Sequence, residues 1–591
     1  MEYLILIHIG PVQEFIASAR RSRDLWFGSW LLSELAKAAA FTIAQESGLD
    51  NLIFPAPQSL EELQAGGDLN IANKIVAVVA KDPHAIAQKI HEAILVRLRT
   101  IRDKAYENVK ASFKQSNAWA QIDDLPEFYW VAQELSSRDQ YAVTRTQLEG
   151  LMAARKNTRN FIQPSWASNM PKSSLDGLRE SVIPKEAFNN REDKLYRQYG
   201  VRPGEQLCGV GLLKRHGVHG QARSSSIFNS TSHIAALPLL QQIRDTSLVA
   251  TYIKRLEELG IAKDDLNKIE GTPFGYDGHL IFEERLNEFF EDVETQKKAR
   301  EALRKFLGEA LDNKKPSPYY ALIAADGDRM GAMIDHLKTI ESHRNLSGKL
   351  AKFARKAPEI VRDNGGSPVY AGGDDVLAFV PLPTALKCAQ QLAAEFAIHM
   401  QGFKDKDGEP PTLSVGIVVT HHIEPLQDAL ELARRAEKAA KKLDGKNALA
   451  ITISKRSGVD RTVAGRWGEI DQRLDKLTDF YTKQIVPDGA AYELLQLADL
   501  LDAMDKPMAQ RIGEAETLRI LKRKRGQRGS EKITEVDLQW IQDALPQISK
   551  RSQELQPLRE LASEMIIASE LAAVQRLANS TATPSGQKEN T

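Results

Sequence analysis

Short apolar runs alternate with long amphipathic stretches along this chain, and that pattern predicts an α+β fold. Tyr3 to Ile9 is apolar and rich in β-branched residues, which reads as a strand. Gly10-Pro11 ends it and opens a helix, because proline suits a first helical turn. The stretch VQEFIASARRSRDLWFGSWLLSELAKAAAFTIA is helical, with a break expected at Gly28-Ser29. Asn73 to Ala80 reads as a second strand. Glu127 to Leu135 reads as a third, after a long helix ending near Gln115. The same rhythm returns later. Tyr320 to Ala325 suits a buried strand, and a helical pattern follows from Met330. Strands are then expected over Val369 to Ala371, Val376 to Val380 and Thr412 to His422. An alanine-rich helix ends at Asp444-Gly445, before a last strand from Ala448. From about Trp467 the pattern is almost entirely helical.

The second copy of the rhythm carries the chemistry. Gly372 and Gly373 give the backbone freedom for a tight reversal, placing Asp374 and Asp375 at a hairpin tip or just past it. Adjacent carboxylates repel, so they are stable as anions when a cation or water lies between them. A solvated turn explains GGDD alone equally well. Asp326 shifts the balance, because it directly follows the buried strand and precedes Gly327, Asp328 and a helix. Together these acids make an oxygen cage for two hard cations, Mg2+ or Mn2+, with open positions for phosphate oxygens. The order strand, Asp, helix, strand, GGDD, strand is that of the palm of nucleotidyl cyclases and polymerases. The backbone N–H groups of Arg329 and Met330 open the following helix and could cradle phosphate. Lys442 and Lys446 bracket the later helix end and could hold a triphosphate as point charges. A cationic helix C-terminus complementing the dipole explains Lys438, Lys441, Lys442 and Lys446 as well.

The first copy ends its strand in Gly10, where the later copy has Asp326. The turn AGGDLN, Ala65 to Asn70, has a single aspartate and reads as a coincidental loop. Two ferredoxin-like palm domains are therefore expected, one with the metal cage and one without, plus helical domains. The boundaries read as a first, catalytically silent palm with basic insertions over 1–220 and a mostly helical link over 221–315. The second palm, with GGDD, covers 316–460. A helical domain follows over 461–578, then a disordered tail over 579–591. The basic loop LKRKRGQRGSEK, Leu521 to Lys532, reads as a solvated connection rather than an RNA contact.

Composition narrows the class. The 591 residues are 42% hydrophobic and 27% charged, a normal globular mix with room for several domains. Lys+Arg and Asp+Glu number 79 each, so any RNA contact must come from local patches. The two cysteines, Cys208 and Cys388, exclude a disulfide scaffold and suit a reducing cytoplasm. No apolar run reaches the length of a membrane span, and the short N-terminal run reads as a strand rather than a signal peptide.

These motifs together resemble a known family, the large subunits of type III CRISPR effector complexes, most closely the Cmr (III-B) branch. The segments that carry the resemblance are GPVQEFIASARRSRDLWFGSWLLS, KNTRNF, PKSSLDG, LCGVGLLKR, DGDRMG, AGGDDVLAFVP and SVGIVV, in the family's order from residue 10 to about 450. The resemblance implies a palm site switched on when guide RNA pairs with target RNA. It implies joining of ATP into cyclic oligoadenylates with release of pyrophosphate. Residue by residue, it implies Asp326, Asp374 and Asp375 as metal carboxylates, with the Gly327 carbonyl as a further ligand. It also implies that Asp374 or Asp375 orients the attacking 3′-hydroxyl. Gly372, Gly373, Arg329, Met330 and Ser414 border the nucleotide, with Lys442 and Lys446 on its phosphates. Arg20, Asp24 and Trp26 lie in the signature, where helix packing accounts for them equally well. Implied partners are guide RNA, target RNA, a small helical subunit against the C-terminal domain and a guide-end-binding subunit.

Two departures from the family pattern set further expectations. None of the twelve histidines is followed by aspartate, so no HD-type DNase is expected. Cys208 stands where the family often has a zinc finger, but Gly211 takes the closing position, so no zinc is expected. Two other readings stay open. One is the same chemistry with another acceptor, such as S-adenosylmethionine. The other is a non-catalytic scaffold, which has no physical need for three clustered acids.

Overall fold

The computed structural model describes residues 1–67, 69–80, 82–158, 169–189, 192–217, 229–262, 265–523, 532–549 and 557–579. Residues 159–168, 524–531 and 580–591, which carry much of the expected basic insertion, basic connection and disordered tail, lie outside the described residues.

The first sheet contains β1 (Glu2–Gly10), β2 (Leu52–Phe54), β3 (Lys74–Val79) and β4 (Glu127–Leu135), in the order β2-β3-β1-β4. All neighbours are antiparallel, which is the ferredoxin-like arrangement. Between β1 and β2 lie α1 (Gln13–Ala17) and α2 (Ser22–Ser47); between β3 and β4 lie α3 (Pro83–Tyr106) and α4 (Gln115–Asp123). After β4 come α5 (Tyr141–Asn157), α6 (Glu192–Tyr199) and α7 (Gly209–Gly217). Strand alternation sorts β1: Ile5, Ile7 and Ile9 pack with α2 and α3, while Leu4 and Leu6 pack with α5. Each such fully buried side chain contributes about 1.5–3 kcal/mol.

Two expectations fail here. The helix does not break at Gly28-Ser29, because α2 runs through both; the interruption is Ser18 to Arg21. Gly28 faces Ile16 and Lys214 inside the fold, and that packing outweighs glycine's roughly 0.5–1 kcal/mol helix penalty. The long helix α3 stops at Tyr106 rather than near Gln115, and α4 begins there.

A helical link follows, with α8 (Thr231–Leu240), α9 (Thr246–Glu258), α10 (Glu283–Leu286) and α11 (Val293–Leu311). The second sheet is built from β5 (Tyr319–Gly327), β6 (Ser367–Gly372), β7 (Asp375–Val380), β8 (Leu413–His421), β9 (Ala448–Ile453) and β10 (Arg461–Arg466). Its order is β10-β9-β8-β5-β7-β6. The four strands β8-β5-β7-β6 repeat the first sheet's pattern, and β9 joins β8 in parallel. The expected boundary at residue 460 therefore falls short: β10 pairs with β9 and belongs to this sheet. Its helices are α12 (Met330–His336), α13 (Ile340–Asp363), α14 (Ala385–His399) and α15 (Leu426–Lys441). The link helices and α15 cover one face of the sheet, and α13 and α14 cover the other. The helices α16 (Ile470–Thr482), α17 (Gly489–Leu501), α18 (Lys506–Arg523), α19 (Glu535–Ser549) and α20 (Pro557–Asn579) complete the chain. Among the described residues no helix is long and apolar enough to cross a membrane.

The palms dock reciprocally, α2 against β6 and α13 against β2. Arg344 of α13 donates to the backbone carbonyls of Leu49, Asp50 and Leu52. Arg355 pairs with Glu62 at 2.6 Å, and the Ser347 hydroxyl accepts from the Ala56 N–H at 3.0 Å.

Candidate active site

The site begins with the β6–β7 hairpin. Gly372 pairs with Asp375, leaving Gly373 and Asp374 as the two turn residues. Gly373 has φ +66°, the positive angle that a type II′ turn requires at its first central position. Gly372 serves another need: a Cβ there would run into the Tyr370 hydroxyl. A third glycine sets the depth of the site. A Cβ on Gly327 would lie 2.7 Å from an Asp374 carboxylate oxygen, so glycine lets the hairpin press against the end of β5.

Asp326, Asp374 and Asp375 converge there, with one carboxylate oxygen from each within 4.8 Å of the others. Burial raises the Asp374 carboxyl to about 6. Burial, and then the charges of Asp374 and Glu437, push Asp375 up to about 8. Asp375 opens to solvent, which moderates the burial part and leaves the direction upward. Burial that raises both carboxyls favours a cation beside them when they ionise. The donor set fits a hard divalent cation: three carboxylates at the end of a strand, with the Gly327 carbonyl beside them.

The basic groups differ from expectation. Lys442 caps α15 and is exposed; Lys441, one residue earlier, reaches the acids. Its ammonium pairs with Asp326, lies 3.4 Å from the Gly327 carbonyl oxygen and 3.6 Å from Glu437. The helix phase decides this. Ala429, Ala433, Ala436 and Ala440 form the buried stripe, and Glu437 and Lys441 each follow it by one residue. That stripe was the signal for Glu437, which sequence reasoning missed. Burial and then the Lys446 charge pull the Lys441 ammonium down to about 8, while the Asp326 carboxylate at its tip works the other way. Lys446 thus stands close enough to Lys441 to act on it, on a turn where Gly445, Lys446 and Asn447 all have positive φ.

Ser414 does not face the cleft. It is fully buried and donates to Oδ2 of Asp328 at 2.8 Å. The same oxygen accepts from Thr412 Oγ1 at 2.8 Å and from the Asn447 N–H at 3.1 Å. Asp328 therefore ties the loop after β5 to the start of β8 and to the Lys446 turn. The Arg329 and Met330 N–H groups follow directly at the start of α12. The Arg329 side chain turns to Glu409 at 3.5 Å and Asp405 at 4.0 Å.

Two of the three signature residues of the first palm are engaged in packing. Asp24 is fully buried and binds Arg215, which also holds Glu205 at 2.8 Å. Trp26 stacks on Trp30, and Arg20 is exposed. Cys208 is buried ahead of α7 and accepts the Gly211 N–H at 3.3 Å.

Strand register shows what replaces the acids in the first palm. His8 opposes Lys74 on β3 and Tyr129 on β4. Asp326 opposes Ser414 on β8, and its neighbour Ala325 opposes Val376, the residue after Asp375. Lys156 near the end of α5 reaches His8 as Lys441 at the end of α15 reaches Asp326, so His8 stands where the second palm has Asp326, and strand pairing then puts Lys74 where it has Asp375. On this alignment Gly10, expected to match Asp326, falls level with Asp328, one position past the end of β5. At the end of α5, Lys156 lies 3.1 Å from His8, as Lys441 at the end of α15 lies on Asp326. Burial, Lys156 and Lys74 lower the His8 pKa to about 4.

Comparison with known proteins agrees with this double-palm geometry. Residues 319–450 match the family model for the second palm domain of Cas10/Cmr2, and residues 4–115 match that for the N-terminal region of the CRISPR-associated protein Cmr2. The chain is 25% identical over 550 residues to the CRISPR system Cmr subunit Cmr2 of Pyrococcus furiosus, covering 77% of this chain. It spans 62% of the length of that relative. Two solved chains share the fold at 13% identity. One is from the type III-B Cmr-beta complex in its apo state, with TM-score 0.63, covering 96% of this chain and 82% of that chain. The other is from the same type of complex bound to cognate target RNA, with TM-score 0.62, covering 96% and 83%. Two domains of the Cas10/Cmr2 family therefore lie in this chain, over residues 4–115 and 319–450, and the chain is similar to the Cmr2 large subunits of type III CRISPR complexes.

Proposed function

We propose that this chain is the nucleotidyltransferase subunit of a CRISPR RNA-guided antiviral complex, and that target RNA activates it to make cyclic oligoadenylate from ATP. One observation carries the reading: the oxygens of Asp326, Asp374 and Asp375 converge within 4.8 Å at the mouth of the second palm. A scaffold gains nothing from gathering these acids where burial raises both Asp374 and Asp375 and the Asp374 charge raises Asp375 further.

In this reading Asp326, Asp374, Asp375 and the Gly327 carbonyl hold two Mg2+ or Mn2+ ions. Such ions activate a hydroxyl and stabilise a departing pyrophosphate. The 3′-hydroxyl oxygen of one ATP bonds to the α-phosphorus of a second. The bond from that phosphorus to the bridging β-phosphate oxygen breaks, pyrophosphate leaves, and the hydroxyl proton passes to solvent at the open side of Asp375. Asp374 or Asp375 orients the attacking hydroxyl. Gly372 and Gly373 keep the turn tight enough to present both acids. The Arg329 and Met330 N–H groups, Lys441 and Lys446 meet the triphosphate. The register of His8 and Lys74 supports a first palm without metal, which serves the second nucleotide. A small helical subunit on the C-terminal helices and a guide-end-binding subunit complete the assembly.

The test is product analysis on the reconstituted complex with guide RNA, ATP and magnesium, with and without matching target RNA. Target-dependent cyclic oligoadenylate that disappears in the Asp374→Ala/Asp375→Ala variant supports the reading. Product only when S-adenosylmethionine is added identifies a different acceptor, and no product under either condition leaves a scaffold.

A further inference from the structure

The ammonium of Lys441 occupies the position the metal reading gives to a cation. It pairs with the Asp326 carboxylate and lies 3.4 Å from the Gly327 carbonyl oxygen, and these are the two β5 groups that the reading makes ligands. The side chain is anchored from behind. Glu437, one helical turn earlier, lies 3.6 Å from the ammonium and is itself largely shielded from solvent. Lys441 therefore has an acidic partner on each side, Asp326 on the strand and Glu437 on its own helix. If Asp326 is taken by another cation, Glu437 remains as a partner for the ammonium.

We infer that Lys441 is a tethered placeholder cation, which neutralises Asp326 in the metal-free protein and is displaced towards Glu437 and the incoming phosphates when a divalent ion binds. This rests on the metal reading of the carboxylate cluster and adds a regulatory step to it. The first palm shows that the helix end is built to deliver a lysine to this strand position, because Lys156 reaches His8 in the same way. Only in the second palm does the lysine meet an acid. The consequence is a threshold. Divalent ions bind weakly until nucleotide phosphates arrive to receive the released ammonium, so the empty site resists stray metal.

The measurement is Mn2+ binding to the full chain without nucleotide, followed by the loss of the free-Mn2+ EPR signal at fixed pH and ionic strength. Three variants accompany the wild type: Lys441→Met, Lys441→Arg and Asp374→Asn/Asp375→Asn. Removing the ammonium is expected to tighten Mn2+ binding about two- to fivefold, the scale set by a partly exposed ion pair. Lys441→Arg, which keeps a competing cation, is expected to bind near the wild-type level. A merely structural lysine would give no tightening with Met and no return with Arg. If Mn2+ binds wild type and Lys441→Met equally, and binding is lost in the double aspartate variant, the metal reading stands and the placeholder is overturned. If no chain binds Mn2+, the metal reading itself fails and the placeholder falls with it.

Discussion

Ser414 donates its buried hydroxyl to Oδ2 of Asp328 at 2.8 Å, joining β8 to the loop that follows β5. The bond makes Ser414 a support of the site rather than a nucleotide contact. Its partner is a carboxylate in a fully buried position, where hydrogen bonds are strong. Ser414→Ala is expected to lower stability by about 1.5–3 kcal/mol. Thermal denaturation of the isolated chain checks this without any substrate. A contact with nucleotide would instead leave Tm unchanged and raise KM for ATP.

The two raised aspartates set a pH dependence for the metal-free protein. Asp374 and Asp375 titrate near 6 and 8 in the folded chain, against an ordinary value of 3.8. Between roughly pH 4 and 8 the folded state therefore holds more protons than the unfolded state, and stability falls as pH rises through that window. With EDTA present, Tm is expected to drop from pH 5 to pH 8 more steeply in wild type than in Asp374→Asn/Asp375→Asn. Saturating Mn2+ should flatten the wild-type curve, because the bound cation replaces the proton.

Asp24 and Arg215 are 191 positions apart in sequence and form the ion pair that clamps α7 to α2. Both are nearly inaccessible to water, and Glu205 takes a share of the guanidinium at 2.8 Å. Removing one partner strands a buried charge, which costs about 3–5 kcal/mol. Asp24→Ala is expected to unfold the first palm at a lower temperature. Hydrogen exchange in β1 and β3 should rise before it rises in β5 and β8, which distinguishes this from a catalytic loss.

The acids of the site were legible because their signal is local. Asp326 at the end of an apolar run and GGDD between two others need only strand length and turn chemistry to be placed. The lysine was not, since one residue of helix phase separates Lys442 from Lys441 and only the alanine stripe ending at Ala440 fixes that phase. Ser414 was misplaced for a different reason. A serine on an apolar strand looks the same whether its hydroxyl faces a cleft or a buried carboxylate, and only the Thr412, Ser414 and Asn447 bonds to Asp328 decide it. The strand β2 has three residues, too few for a periodicity. The strand β10, RTVAGR, carries charge at both ends and only partial burial, so its pattern is weak. The double-palm organisation survived these losses because the other strands of each half repeat in the same order.

The matched reach of Lys156 and Lys441 aligns the two palms and supports a last prediction. His8 and Lys74 hold the positions of Asp326 and Asp375, and Asn73, whose carbonyl accepts the Ile9 N–H at 2.9 Å, holds that of Asp374. The first palm thus keeps the strand pairing of the site but replaces its acids with neutral His8 and Asn73 and cationic Lys74. Restoring acids should restore cation binding: His8→Asp/Asn73→Asp/Lys74→Asp is expected to add one weak Mn2+ site per chain, read as EPR stoichiometry. Lys156 is positioned to pair with the carboxylate introduced in place of His8, so adding Lys156→Met should tighten that site, as Lys441→Met does in the second palm. The comparison is made on variants whose Tm stays within a few degrees of wild type. An unchanged stoichiometry in such a folded variant would show that strand register alone does not define the site, and that the close approach at Gly327, where the first palm has Ile9, is also required.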